Sequence, residues 1–137
     1  MCSGAAYVFI TSDSGETWSQ QQKLLPFGGP DNDDEFGISV AIHGDILVVG
    51  ANWADTSNGG YTGAAFIFTA SNGLTWTAQQ RLEGSDGGNE DHFRTVDVYN
   101  TTIAVGAFGN DNENGNSAGK VDCMHKFRVR VRDIQVM

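Results

Sequence analysis

Cysteine, proline, positive charge and long apolar runs are all scarce in this chain. The 137 residues hold two cysteines, Cys2 and Cys123, lying towards the two ends of the sequence. That is too few for a disulfide framework. Two free thiols are the expectation, with a bridge as the alternative. No run approaches the ~20 apolar residues of a membrane-spanning helix, so no membrane span is expected. Met1-Cys2-Ser3 leads straight into strand-like sequence, without the charged and then apolar segments of a leader. No signal peptide is expected, and the abrupt start reads as a piece of something longer. Up to Gly119 there are 15 Asp and Glu residues against only Lys23, Arg81 and Arg94. That body lacks the basic stripe that nucleic acid requires.

Eighteen glycines stand against two prolines, with Thr, Val, Ile and aromatics in short runs. This composition predicts an all-β protein with many turns. Its organising stretch is residues 36–51, FGISVAIHGDILVVGA, which returns as residues 93–107, FRTVDVYNTTIAVGA. Phe36, Ile38, Val40 and Ile42 alternate with Gly37, Ser39 and Ala41, as in a strand covered on both sides. Ile46, Leu47, Val48 and Val49 form a continuous apolar run, as in a strand with no wet face. Gly44 and Asn100 sit at the turns between the paired runs, where a positive φ is needed.

Around these hairpins the series repeats. Residues 4–9 (GAAYVF) correspond to 63–68 (GAAFIF), and 18–25 (WSQQQKLL) to 75–82 (TWTAQQRL). Gly4 to Gly63 is 59 residues, Trp18 to Trp76 is 58, Phe36 to Phe93 is 57 and Gly50 to Gly106 is 56. The drift reads as single-residue deletions in turns. A four-strand unit at this period is the signature of a β-propeller or a related repeat array.

Phe36-Gly37-x-Ser39-Val40 followed by Val49-Gly50-Ala51 resembles the FG-GAP repeat, the unit of the integrin α-chain propeller and its relatives. Asn52 and Phe108 stand where that family has proline, and Arg94 where it has the glycine of "FG". The resemblance implies a partial β-propeller of four-stranded antiparallel blades, about two in all. The boundaries are then about 4–62 for the first repeat, 63–118 for the second and 119–124 for the start of a third, with a divergent basic tail at 125–137. Propellers close with about four to eight blades, so the chain would leave its ends uncovered. Ile38, Val40, Val48 and Phe9 are then expected to be partly wet. The implied partners are the remaining blades of a longer chain, or further copies of this one.

The family often carries a calcium loop between its inner strands, but His43-Gly44-Asp45 and Asn100-Thr101-Thr102 are too short to wrap a cation taking six to eight oxygens. No cofactor and no metal site are expected. Calcium in the acidic long loops is the alternative, with Asn110-x-Asn112-x-Asn114-Gly115 at calcium-loop spacing but Ala118 where a carboxylate belongs. Those loops leave from one face of the blades. The candidates there are Asp33, Asp34, Glu35, Trp53, Asp55, Glu90, Asp91, Phe108 and Asp111. Solvation and turn-making account for the acids equally well. His43, His92 and His125 lie at no metal-ligand spacing and read as ordinary surface or strand histidines.

Thr11-x-Asp13-x-Gly15-x-Thr17-Trp18 also resembles the Asp-box of sialidase-like propellers, where the Asp orders a turn and the Trp packs in the core. The copy at residues 69–76 lacks the Asp. Sialidases also need an arginine cluster, and the body has two arginines. No nucleophile elbow, Cys-His pair or phosphate loop is evident, so no catalytic residue is expected. Asn100-Thr101-Thr102 is a glycosylation sequon on a tight turn. In the tail, Phe127, Val129 and Val131 alternate with Arg128, Arg130 and Arg132. This is an edge strand guarded by charge, a basic face for an acidic neighbour or an anionic surface, or diverged sequence. The leading function is a non-catalytic binding or adhesion module recognising a protein or glycan, extracellular or at the cell surface in its parent protein. The alternatives are a fragment of a sialidase-like hydrolase and a truncated product without independent function.

Overall fold

The computed structural model describes residues 3–28, 34–57, 59–85 and 90–109, together with the backbone of 127–130. The described residues form strands β1 (Ala6–Ile10), β2 (Ser19–Leu24), β3 (Phe36–His43), β4 (Ile46–Ala51), β5 (Ala64–Ala70), β6 (Trp76–Leu82), β7 (Phe93–Tyr99), β8 (Thr102–Ala107) and β9 (Phe127–Arg130), and no helix. The strands make three antiparallel sheets in the orders β1-β2, β3-β4-β5-β6 and β7-β8-β9. They are the outer half of one blade, a complete blade, and the inner half of a third with one further strand. That strand falls inside the stretch read as a tail. Val105 pairs with Phe127 just as Val49 pairs with Phe66, so β9 stands beside β8 in the place that β5 takes beside β4.

The middle sheet carries a core on each face. Leu47, Val49, Ala51, Phe66 and Phe68 join Ala6, Val8 and Leu24 of the first sheet. Val48, Ala65 and Ile67 join Val96, Val98, Ile103 and Val105 of the third. The unbroken apolar runs of β4 and β5 follow from this, because both alternating sets of side chains are dry. Among the described residues Phe66 is the largest fully buried side chain, edge-on to Phe27 and Phe36 at 5.2 Å each.

Two expectations need correction. Val48 is fully buried, because β7 and β8 lie over it. And β3 is not covered on both sides: of its large residues only Phe36 is buried, while Ile38, Val40 and Ile42 are more than half exposed. The sheet on that side has only two strands and does not reach over them. Phe9, Ile38 and Val40 are wet as expected.

The glycines of the motif lie on the seams between sheets. A Cβ on Gly50 would sit 2.0 Å from the Arg94 carbonyl oxygen, and one on Gly63 would sit 2.4 Å from the Phe93 nitrogen. The Ser39 hydroxyl donates to the same Arg94 carbonyl, which ties β3 to β7. The step in the repeat from 57 to 56 falls in a bulge rather than a turn. Between Phe36 and Ser39 the bulge holds two residues, and between Phe93 and Thr95 it holds one. Gly37 needs its φ of 99° in the longer bulge; Arg94, in the shorter one, is not among the positive-φ residues.

The Asp-box turn forms as a turn. Asp13 accepts from the Thr11 hydroxyl at 2.6 Å and the Thr17 backbone N–H at 2.9 Å, and from the Thr17 hydroxyl. The Thr11 bond, then those from Thr17, hold its carboxyl well below the usual carboxylate range. In the second copy Ser71 stands at the Asp position, and the next side chain, Asn72, accepts from the Leu74 and Thr75 N–H at 3.0 Å each. Trp18 and Trp76 occupy corresponding places at the starts of β2 and β6, yet Trp76 is 6% exposed and Trp18 61%. Gln22 of the first sheet brackets the Trp76 backbone, its side-chain oxygen accepting from the backbone N–H at 2.8 Å and its amide donating to the carbonyl at 2.9 Å. Trp18 has no preceding sheet to do this.

A candidate binding face on the long loops

Because neighbouring strands run antiparallel, the loops before β3 and β7 and those after β4 and β8 emerge from one end of the sheets. The short turns at Gly44 and Asn100 emerge from the other. Each long-loop pair is stitched by one backbone bond: Trp53 N–H to the Asp34 carbonyl at 3.2 Å, and Gly109 N–H to the Asp91 carbonyl at 3.0 Å. These are equivalent positions of the two repeats. Glu35 and His92, each just before its inner strand, share a left-handed φ of 50° and 54°.

The anticipated residues separate by depth. Asp34 and Asp91 are buried beneath the loops, so they do not present their side chains on the face. Glu35, Asp55 and Glu90 are exposed, and Trp53 and Phe108 are partly so. Asp33 and Asp111 lie outside the described residues, as does the Asn110–Asn114 spacing. Asn100 is exposed with a φ of 49°, on the opposite, short-turn end, next to the His43–Tyr99 ring contact at 5.1 Å.

What the structure adds is an aromatic row. Trp53 meets Tyr61 at 5.1 Å and His92 at 6.0 Å, and His92 stacks on Phe108 at 5.1 Å. The Arg94 guanidinium lies over Phe108 at 4.5 Å. The row therefore runs from the loops of the complete blade onto those of the next. Tyr61, His92 and Arg94 were not singled out as members of this face. The available signal was two large aromatics, Trp53 and Tyr61, inside one polar loop, where burial gives them no reason to be.

Carboxylates flank the row. Glu35 accepts from the Asn52 side-chain amide at 3.2 Å, and Asp55 accepts from the Tyr61 N–H at 2.9 Å. Arg81 is held by Glu83 at 3.0 Å, by the Asp55 carbonyl and over the Phe66 ring. Among the described residues no three His, Cys, Asp or Glu side chains gather as metal ligands. Exposed ring faces beside hydrogen-bond acceptors can stack on sugar rings or seat apolar and cationic protein side chains. This is chemistry of recognition.

Comparison with protein families gives a match to the FG-GAP repeat over residues 18–68 and 76–121, well over half of the chain. No curated protein matches the sequence. Each matched segment begins at or beside the Trp that opens an outer strand and runs through the following inner hairpin, in phase with the sheets described above. The chain thus belongs to the FG-GAP repeat family, as two repeats forming part of a β-propeller.

Proposed function

We propose that this chain is a non-catalytic recognition module whose long-loop face binds a protein or glycan outside the cell. At the level of the family, FG-GAP repeats build binding and adhesion modules of the propeller type. The observation that carries the finer reading is the continuous, partly exposed row of Trp53, Tyr61, His92 and Phe108 across two blades. Aromatic anchors of this kind supply large contact area at small entropic cost. The acceptors beside them, Glu35, Asp55 and Glu90, favour hydroxyl-rich or basic ligands. No metal is needed in this reading.

The hydrolase reading gains no support. The Asp13 carboxylate is engaged by Thr11 and Thr17, and both arginines near the face are engaged, by Glu83 and Asp55 or by Phe108.

The test is binding to glycan and extracellular-protein arrays, comparing the native chain with Trp53→Ala and Tyr61→Ala. Each substitution is expected to weaken the interaction at least about tenfold, the scale of a hot-spot residue. His43→Ala, on the short-turn end, should leave it unchanged. Absence of any retained ligand, or binding that survives both aromatic substitutions, contradicts the proposal.

A further inference from the structure

The short-turn end carries a motif that recognition at the long loops leaves unused. Asn100-Thr101-Thr102 is the only Asn-x-Ser/Thr triplet in the sequence, although ten asparagines occur in it. The tight turn accounts for Asn100 alone. At a φ of 49° it takes the left-handed backbone that Gly44 takes, at 55°, in the first repeat. The turn does not account for Thr102. In the first repeat that position is Ile46, opposite His43 as Thr102 is opposite Tyr99, and Ile46 packs against the second core. A hydroxyl two residues beyond an asparagine is the pattern that an N-glycosyl transferase reads.

The place suits the modification. Asn100 and Thr101 are both exposed. The equivalent turn of the first repeat shows that a neighbouring sheet does not close over this position. There β7 packs beside β3, yet Gly44 at the end of β3 is exposed, and a Cβ on it would meet nothing within 4 Å. The opening therefore belongs to the turn, whatever lies beside the third sheet. β7 joins this end of the molecule to the other, with His92 of the aromatic row just before it and Asn100 just after. Its seven residues span about 20 Å, so an oligosaccharide on Asn100 leaves the row uncovered.

We propose that Asn100 is an N-glycan attachment site, modified when the chain enters a secretory compartment; this rests on the extracellular reading above. The Asn100 Nδ2 attacks C1 of the first sugar of a lipid-diphosphate-linked oligosaccharide. A C–N bond forms and the bond from C1 to the diphosphate oxygen breaks. The lipid diphosphate leaves, and the amide nitrogen gives one proton to a base of the transferase. Nothing is oxidised or reduced. The two ends of the sheets then divide their work: the short-turn end is clothed in sugar and held in solvent, and the long-loop end stays free to bind.

The full chain, directed into the secretory pathway of a eukaryotic host by a cleavable leader, tests this. Mass mapping of the chain, whether secreted or retained in the cell, is expected to find one oligosaccharide, on Asn100. A glycan-releasing amidase should remove it without denaturant, because the linkage stands in the open. Thr102→Ala should abolish the modification, and Thr102→Ser, which keeps the hydroxyl, should retain it. A bare chain overturns the proposal. So does a glycan that survives Thr102→Ala, or one released only after unfolding. Should the leader-directed chain be modified and the protein isolated from its own source be bare, the site stands and the extracellular reading fails.

Discussion

Gly50→Ala is expected to destabilise the chain by about 3 kcal/mol, the upper part of the range for overpacking a filled site. The new methyl would lie 2.0 Å from the Arg94 carbonyl oxygen and 2.6 Å from the Ser39 hydroxyl. The first of these is backbone, and it already accepts the Ser39 bond, so it cannot turn aside without parting β3 from β7. Gly73→Ala is the matched control. It has a φ of 65° and nothing within 4 Å, so only the left-handed backbone cost applies, about 1 kcal/mol. Against a net stability of ~5–15 kcal/mol the first change removes a large share. Urea melts should show a clearly lower midpoint for Gly50→Ala than for Gly73→Ala, at unchanged slope. Equal midpoints would mean that the seam between the sheets is looser than described.

Phe66→Ala should cost still more, about 3–5 kcal/mol, through lost transfer energy and the cavity left behind. Its ring meets Phe27 and Phe36 edge-on, and Arg81 lies over it at 5.6 Å. The counterpart in the half-blade, Tyr7, has the same register opposite β2 and touches solvent instead. Tyr7→Ala should therefore cost less than about 1 kcal/mol when measured at high dilution. The same position in two repeats then differs severalfold in energy because one has a preceding sheet and the other has none. Comparable losses at both sites would refute that explanation.

The architecture was legible because it rests on local alternation and on repetition. The continuous run from Ile46 to Val49 announces a strand with no wet face, and the spacing from Phe36 to Phe93 places the next hairpin. The sandwiching of β4 was harder to see. Whether Val48 is wet depends on β7 folding back over it, a contact between residues some fifty positions apart. The place of the last strand was hard to read for a related reason: residues 127–130 keep the alternation but lack the GAA motif, and only pairing with β8 identifies them. The face was partly legible. Acids in loops mark the end from which the loops emerge, yet depth along a loop leaves no trace in composition. Asp34 and Glu35 are neighbours in sequence, and only one reaches the surface. His92 gave no sign of its place, because its partners, Trp53 and Phe108, come from two other loops.

The claim on which the rest depends is that one strand, β4, separates two cores belonging to different sheets. Methyl NOE spectroscopy on the chain with labelled valine, leucine and isoleucine tests it directly. The Val49 methyls should show cross-peaks to Val8 and Leu24, and the Val48 methyls to Val96, Ile103 and Val105, with no exchange of partners between the two sets. Cross-peaks from both valines to the same sheet, or Val48 methyls that see only solvent, would contradict the stacked-blade arrangement and the long-loop face it assembles.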